Sequence, residues 1–600
     1  MRKLFQYLKP YWRSAALSPF LMIGEVLCDL CLPYLMSFIV NFGILGEDIG
    51  KSPVASFLIG IFYPRGGYTP LNIIILFGIL MLVVTLIGGF FGTLCAYTAA
   101  RASQSFGNDL RRSAYTRVMS LSIEQTDRFT TGSLVTRMTN DIAMIVEFVE
   151  MILRMFVRAP MFFIGGTIFL LALDVKFGAV LLISLPVLLI TLLLVLARAV
   201  PLFGTVQTRL DRVNCVVQEN VGGARIVKAS VQEDYENNRF AEANGALRSI
   251  NYRVLRLMAV MTPVLILVQN LAVIAIIYIG GSSIAEGVGG MSTGNVMAAV
   301  TYTTQVITSI MMVTMMFQSV SRAMASAKRV REVLDTEPVV VGGTEDAGTD
   351  ADIAVSFRHV SFRYPDTVGE PVLHDICLDV RRGETLAIVG ATGSGKSSLV
   401  RMITRFYDPT EGEILVDGRP VQEYSLKSLR QKIGFVLQKS ELFSGTVADN
   451  IRWGRADASM SEIRDAATVA QAHPFIEGFA DGYETAVAEK GASLSGGQKQ
   501  RLSIARAVAR KPEILILDDA TSALDLSTEA ALQGALRARM RDTTVIMIAQ
   551  RVASVKNADR IAVIEDGTIR HCAPHDELLA ISETYRDIYA SQMGKGGSVQ

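Results

Sequence analysis

The sequence predicts a membrane α-helical domain of six transmembrane helices with long polar extensions, fused to a C-terminal α/β domain. Three observations carry this prediction. Half of the 600 residues are hydrophobic and only 19% are charged, where a soluble chain carries about a quarter charged residues. The apolar residues gather into six segments, each near the roughly 20 residues a helix needs to cross a bilayer. Beyond residue 352 the pattern changes to short β-branched runs alternating with helical stretches, as in a domain built on a central sheet.

The six segments fall at 15–45, 71–98, 148–173, 177–199, 258–284 and 294–320. Two connections, 99–147 and 200–257, are long, polar and rich in Arg and Lys, whereas the other three hold only Lys51, Arg65 and Lys176 as basic residues. Positive charge marks the cytoplasmic side. Both termini, both long connections and the α/β domain are therefore expected in the cytoplasm, with the chain a multi-pass protein of the cell membrane. The long connections keep helical periodicity, so they read as helices running beyond the bilayer. Their tips are expected to touch other cytoplasmic parts near Leu110–Leu121 and Val231–Arg239.

At the N-terminus, Leu4, Phe5, Tyr7, Leu8, Tyr11 and Trp12 alternate with basic residues. This predicts an amphipathic elbow helix on the membrane surface, and no small-residue cleavage site marks a removable signal. The formal net charge of +1 gives no basic imbalance, so the lipid bilayer is an expected partner and nucleic acid is not. Cys28 and Cys31, one turn apart in an apolar stretch, read as helix packing. Pro338, Gly342, Gly343 and Gly348 among acidic residues mark a linker. The expected division is a transmembrane domain over 1–335, a linker over 336–352, an α/β domain over 353–593 and a flexible tail over 594–600.

Chemistry concentrates in the α/β part. Gly390-Ala-Thr392-Gly393-Ser394-Gly395-Lys396-Ser397 follows the apolar run Leu386–Val389, which is the P-loop pattern in its strand-then-helix setting. Together with Ser398, these residues are expected to bind ATP. Backbone N–H groups and a helix N-terminus cradle phosphate, Lys396 reaches the β- and γ-phosphates, and Ser397 ligates Mg²⁺. A second apolar run, Ile514–Leu517, ends in Asp518 and Asp519, and Asp518 is placed to hold Mg²⁺.

Leu494-Ser495-Gly496-Gly497-Gln498 resembles the signature of the ATP-binding cassette (ABC) transporters. The order of the surrounding motifs agrees: Tyr364, the P-loop, Gln438, the signature, Asp518, Ser522-Ala-Leu-Asp525, then Gln550. The resemblance covers nearly the whole chain and is strongest to half-transporters of heterodimeric bacterial multidrug exporters. It implies that Tyr364 stacks on adenine and that Gln438 touches Mg²⁺ and the transmembrane contacts. It also implies that Leu494, Ser495, Gly496, Gly497 and Gln498 face ATP held by a partner. Ser522 and Asp525 form the loop between sites, and Glu489 meets the helix tips. A second half-transporter is thus required.

Two positions depart from that pattern. Asp519 stands where the family has Glu, and Gln550 where it has His. Aspartate is one methylene shorter, and a misplacement of about 1 Å can cost on the order of 100-fold in rate. An amide offers no positive charge. The expectation is a site that binds ATP but hydrolyses it poorly, paired with a different chain that carries Glu and His. Slow turnover after sequence drift is the plainer alternative.

For cargo, Glu25 and Asp29 in the first span and Arg158 in the third are candidates to line a cavity for cationic or amphipathic compounds. Met312 and Met316, with Met311 and Met315, offer a soft apolar face. The expected substrate is lipophilic or amphipathic. A dedicated lipid, peptide or siderophore transporter, or a non-pumping channel-like subunit, are the alternatives.

Overall fold

The computed structural model describes residues 3–63, 67, 69–286, 291–349, 352–365 and 367–593. The proposed tail, 594–600, lies outside the described residues. The chain divides into two compact units: Met1–Arg117 with Ser133–Asp335, and Val118–Gly132 with Thr336–Gln600.

Among the described residues, the first unit contains six helical segments long and apolar enough to cross a membrane: Leu4–Ile44, Pro70–Ser120, Thr131–Leu173, Val175–Gly222, Glu233–Ala285 and Thr293–Val313. Each contains or overlaps one of the expected spans. The sixth helix continues as a polar extension to Asp335. Leu30, Phe177, Ile276 and Tyr302 are fully buried where spans meet, and the Tyr302 hydroxyl donates to the Leu30 carbonyl at 2.7 Å. Satisfying that hydroxyl matters, because a buried polar group without a partner costs more than its bond contributes. The N-terminal turn differs from a free surface helix. Leu4–Tyr11 is a 3₁₀ helix that runs directly into the first span, and Leu4 is buried in a cluster with Ala99, Ala102 and Phe106. Packing against the protein thus takes up part of the apolar face assigned to lipid.

Arg158 occupies the centre of an interhelical ion triad. Its guanidinium lies 2.6 Å from Glu25 Oε1 and 3.3 Å from Asp29 Oδ2. One turn of spacing puts both carboxylates on one face of the first span, so a single Arg on the third serves both. The three candidates for lining a substrate cavity are thus joined in one ion-paired cluster, in which a single guanidinium offsets the charge of two carboxylates.

In the second unit the strands are β1 (Ile353–Phe362), β2 (Leu373–Arg381), β3 (Thr385–Gly390), β4 (Glu411–Val416), β5 (Arg419–Pro420), β6 (Ile433–Val436), β7 (Gly445–Thr446), β8 (Ala486–Val487), β9 (Ile514–Asp518), β10 (Thr544–Ile548), β11 (Arg560–Glu565) and β12 (Thr568–Ala573). The main sheet has the order β12-β11-β3-β10-β9-β6. From β11 to β6 every neighbouring pair is parallel. Strands β9 and β10 are buried at every residue, which explains their unbroken apolar runs. A second, antiparallel sheet runs β2-β1-β4-β5.

The second unit also incorporates a piece of the first long connection. Leu110–Ser120 is the end of a continuous helix, and the tip follows it as a short helix, Ile123–Phe129. Ile123 packs on the core beneath the main sheet. Ser122 Oγ accepts from the Val340 amide at 2.9 Å, and the Tyr407 hydroxyl donates to Asp127 Oδ2 at 3.1 Å. Burial, and then that bond to Asp127, push the Tyr407 phenol up to about 12. The expected tip at Leu110–Leu121 is therefore displaced toward 122–130, because the apolar and capping residues that dock follow the helix end. The second expected tip, Val231–Arg239, belongs to the first unit, where Ile226 and Val231 are exposed.

Removing one member of a fully buried ion pair costs about 3–5 kcal/mol. With side chains 16–36% exposed, the triad should lose less. Arg158→Met is expected to lower the Tm of the purified protein, and adding Glu25→Gln and Asp29→Asn should recover most of the loss. Thermal unfolding of the unmodified protein and of these two variants tests this, and equal destabilisation by the triple variant would reject the ion-triad account.

Candidate nucleotide site

The P-loop closes between β3 and the helix Lys396–Ile403. Gly395 caps that helix with φ 92°, and a Cβ there would sit 2.7 Å from Leu373 Cδ2. Only glycine meets both demands. At Gly390 an added Cβ would collide with the Ile564 carbonyl. Lys396 Nζ folds back onto the loop, donating to the carbonyls of Gly390 at 2.9 Å and Ala391 at 2.6 Å. Burial lowers its pKa from the usual lysine value. Thr392 and Gly393 are exposed at the mouth of the loop, next to Ser394. Tyr364 does not stand free: its ring packs edge-on against Phe362 and Tyr407, and its hydroxyl shares a 2.8 Å hydrogen bond with Ser398 Oγ.

Ser397 Oγ donates to Asp518 Oδ1 at 2.7 Å. Asp518 is fully buried, and its other oxygen, Oδ2, has no hydrogen-bond partner. A buried carboxylate oxygen left without a donor is costly unless something cationic completes it. The nearest cation, Arg401, stays 4.0 Å away. This orphaned oxygen beside a serine hydroxyl is an all-oxygen donor set that suits Mg²⁺.

Asp519, the next residue, takes a left-handed backbone (φ 51°). Its Oδ2 accepts from Gln550 Nε2 at 3.0 Å and from Gln438 Nε2 at 3.4 Å. Burial, with the neighbouring Asp518 charge, raises the Asp519 carboxyl above its ordinary value. Gln438 therefore lies on Asp519, the neighbour of the carboxylate assigned to Mg²⁺. The three catalytic candidates form one hydrogen-bonded cluster.

The signature begins the helix Gly496–Ala509. Ser495 Oγ accepts from the Gln498 amide at 3.3 Å, and Gln498 Oε1 accepts from the Ser495 amide at 2.9 Å, a reciprocal cap. Leu494 packs on the adjoining core. Ser495 and Gly496 are exposed, and among the described residues no hydrogen bond joins them to this chain's own P-loop. Asp525 caps the helix Leu526–Arg539, accepting from the Thr528 amide at 3.0 Å. Ser522 Oγ donates to the Asp519 carbonyl at 3.1 Å. Two residues that sequence reasoning missed hold this loop. Gln500 contacts Ser522 Oγ at 3.3 Å and accepts from the Ala523 amide at 2.9 Å, and Arg551 donates to the Leu524 carbonyl at 3.1 Å. Gln500 lies within the signature run, the only signal available. Glu489 is exposed.

In the membrane unit, Met312 and Met316 line a cavity of ≈ 410 Å³ together with Glu147, Glu150, Met151 and Arg154. Glu25, Asp29 and Arg158 do not line it.

The family described as ABC transporter transmembrane region matches residues 16–310, and the family described as ABC transporter matches residues 373–522. The chain is 38% identical over 601 residues to an uncharacterized ABC transporter ATP-binding protein, YfiB, of Bacillus subtilis, covering 100% of both proteins. It is 33% identical to an ATP-dependent lipid A-core flippase of Chromobacterium violaceum, covering 99% of this chain and 97% of that one. A solved bacterial Atm1-family ABC exporter with ATP bound superposes with a TM-score of 0.77 at 25% identity, covering 98% of this chain and 99% of that one.

Gly395→Ala should weaken ATP binding by at least about tenfold, because the new methyl group moves either Leu373 or the loop and a shift near 1 Å is enough to disorganise a site. Equilibrium binding of a fluorescent ATP analogue measures it, and unchanged affinity would count against the assigned loop.

Proposed function

The chain belongs to the ABC transporter family, with an exporter-type transmembrane domain and an ATP-hydrolysing domain in one polypeptide, and from that premise we propose one subunit of a two-chain exporter with unequal sites. Its cargo is lipophilic or amphipathic. The flippase relative, which is named for a lipid, and the methionine-lined cavity support this class. Its own P-loop binds ATP and turns it over slowly, while its signature completes the site of a different partner chain. Both termini and the nucleotide domain lie in the cytoplasm.

The observation that carries this reading is the cluster around Asp519. An efficient base needs a carboxylate aimed at the attacking water, with a cationic or polarising group nearby. Here the shortened carboxylate is already taken up by two amides, Gln550 and Gln438. Neither amide can carry a positive charge, so of this chain's own groups Lys396 and the loop amides would meet the charge building on the γ-phosphate. Mg²⁺, held by Ser397 and Asp518, would neutralise phosphate oxygens when bound. Tyr364 would present part of its ring to adenine, and the loop N–H groups would fix the phosphates. The exposed Ser495 and Gly496, with no bond to this chain's P-loop, support a signature that serves another subunit. The exposed Ile226 and Val231 are apolar surface for such a subunit to cover.

ATPase activity in lipid, with and without a partner half-transporter, tests this. The chain alone should be slow, and the assembled pair faster. In the chain alone, Asp519→Glu with Gln550→His should raise the rate, toward the order of 100-fold that a misplaced group can cost. A full transporter rate from the unmodified chain alone would reject the unequal-site reading.

A further inference from the structure

Two β-bulges on neighbouring strands of the antiparallel sheet bring together three side chains that no part of the transport cycle uses. Between the pairs Phe357↔Leu378 and Val360↔Ile376, strand β1 has two residues, Arg358 and His359, facing one on β2, Cys377. Between Val360↔Ile376 and Phe362↔Leu373 the imbalance reverses: His374 and Asp375 on β2 face Ser361 on β1. A bulge re-aims the side chain it carries. Here each bulge carries one left-handed residue, His359 (φ 49°) and Asp375 (φ 44°). Their side chains meet, with His359 Nδ1 2.7 Å from Asp375 Oδ1 and 3.6 Å from Cys377 Sγ. The three donor atoms all lie within 4.8 Å of one another, and all three residues are exposed.

We propose that His359, Asp375 and Cys377 form a binding site for a borderline-soft divalent transition metal of the Zn²⁺ class. One imidazole nitrogen, one thiolate sulfur and one carboxylate oxygen are the donor types such ions take, whereas Mg²⁺ and Ca²⁺ require mostly oxygen. Metal bonds of about 2.0–2.3 Å in a tetrahedron place neighbouring donors roughly 3.3–3.8 Å apart. The Sγ···Nδ1 distance already matches. The Nδ1···Oδ1 distance, at hydrogen-bond length without metal, has to open by about half an ångström, which a χ rotation of exposed side chains permits. Three protein ligands leave a fourth position for water. The ion would bridge β1 to β2 where their ladder is interrupted, three residues upstream of Phe362 and five upstream of Tyr364.

Co²⁺ titration of the purified full-length protein tests the site, because a cobalt–thiolate bond gives a charge-transfer absorption band that water or carboxylate ligands do not. The expected result is one Co²⁺ per chain with that band, displaced by Zn²⁺. Cys377→Ser should abolish the band. His359→Asn, which keeps a residue tolerant of left-handed φ, should weaken binding at least tenfold. Absence of tight Co²⁺ binding would overturn the proposal. So would a thiolate band that survives Cys377→Ser, since it would come from another of the six cysteines, or affinity unchanged by His359→Asn.

Discussion

The parallel pairing of β3, β10, β9 and β6 is the constraint on which the nucleotide site depends. Parallel strands about 4.8 Å apart present all their C-terminal ends at one edge. At that edge β3 turns into the P-loop, β9 ends in Asp518 and Asp519, β10 is followed by Gln550, and β6 by Gln438. Four segments scattered over some 160 residues of sequence therefore deliver their polar groups to one place. The buried apolar strands supply the rigidity, and the Ser397–Asp518 bond ties the P-loop helix to the neighbouring carboxylates. Binding sites at the carboxyl ends of parallel strands are the rule for open α/β sheets.

At that edge the backbone itself favours the unusual residue. Asp519 sits at φ 51°, where short side chains such as Asp are tolerated better than longer ones. Two amide donors on its carboxylate offset part of the cost of its burial, yet burial still dominates and raises its pKa. Lys396, the nearby cation, spends its donors on loop carbonyls, so phosphate would have to displace those bonds. The result is a site of two carboxylates and two neutral amides, with Lys396 and the more distant Arg401 as its nearby cations.

The membrane unit obeys a different economy. Charges there survive by pairing, as Arg158 does with two acids on another span, and hydroxyls by bonding to a backbone carbonyl, as Tyr302 does. The loop between the second and third spans follows the soluble rule instead. Ser122 and Asp127 bond to groups of the α/β unit, and Ile123 supplies its apolar anchor.

The sequence by itself determined the six spans, the α/β class, the P-loop, the signature and the two departures at 519 and 550. These are local properties: the length of an apolar run, the period of its pattern, and residue types at fixed spacing. Tertiary structure decided which groups meet. Arg158 and Glu25 are 133 residues apart, so their pairing depends on how helices pack. The placement of Gln438 on Asp519 depends on strand order, and the docking of Ile123 on which surface of the α/β unit is apolar. The meeting of His359 with Cys377 depends on a one-residue slip in register. A strand pattern of period two does not encode that slip, because the bulge is chosen by the whole sheet and not by the residues that occupy it.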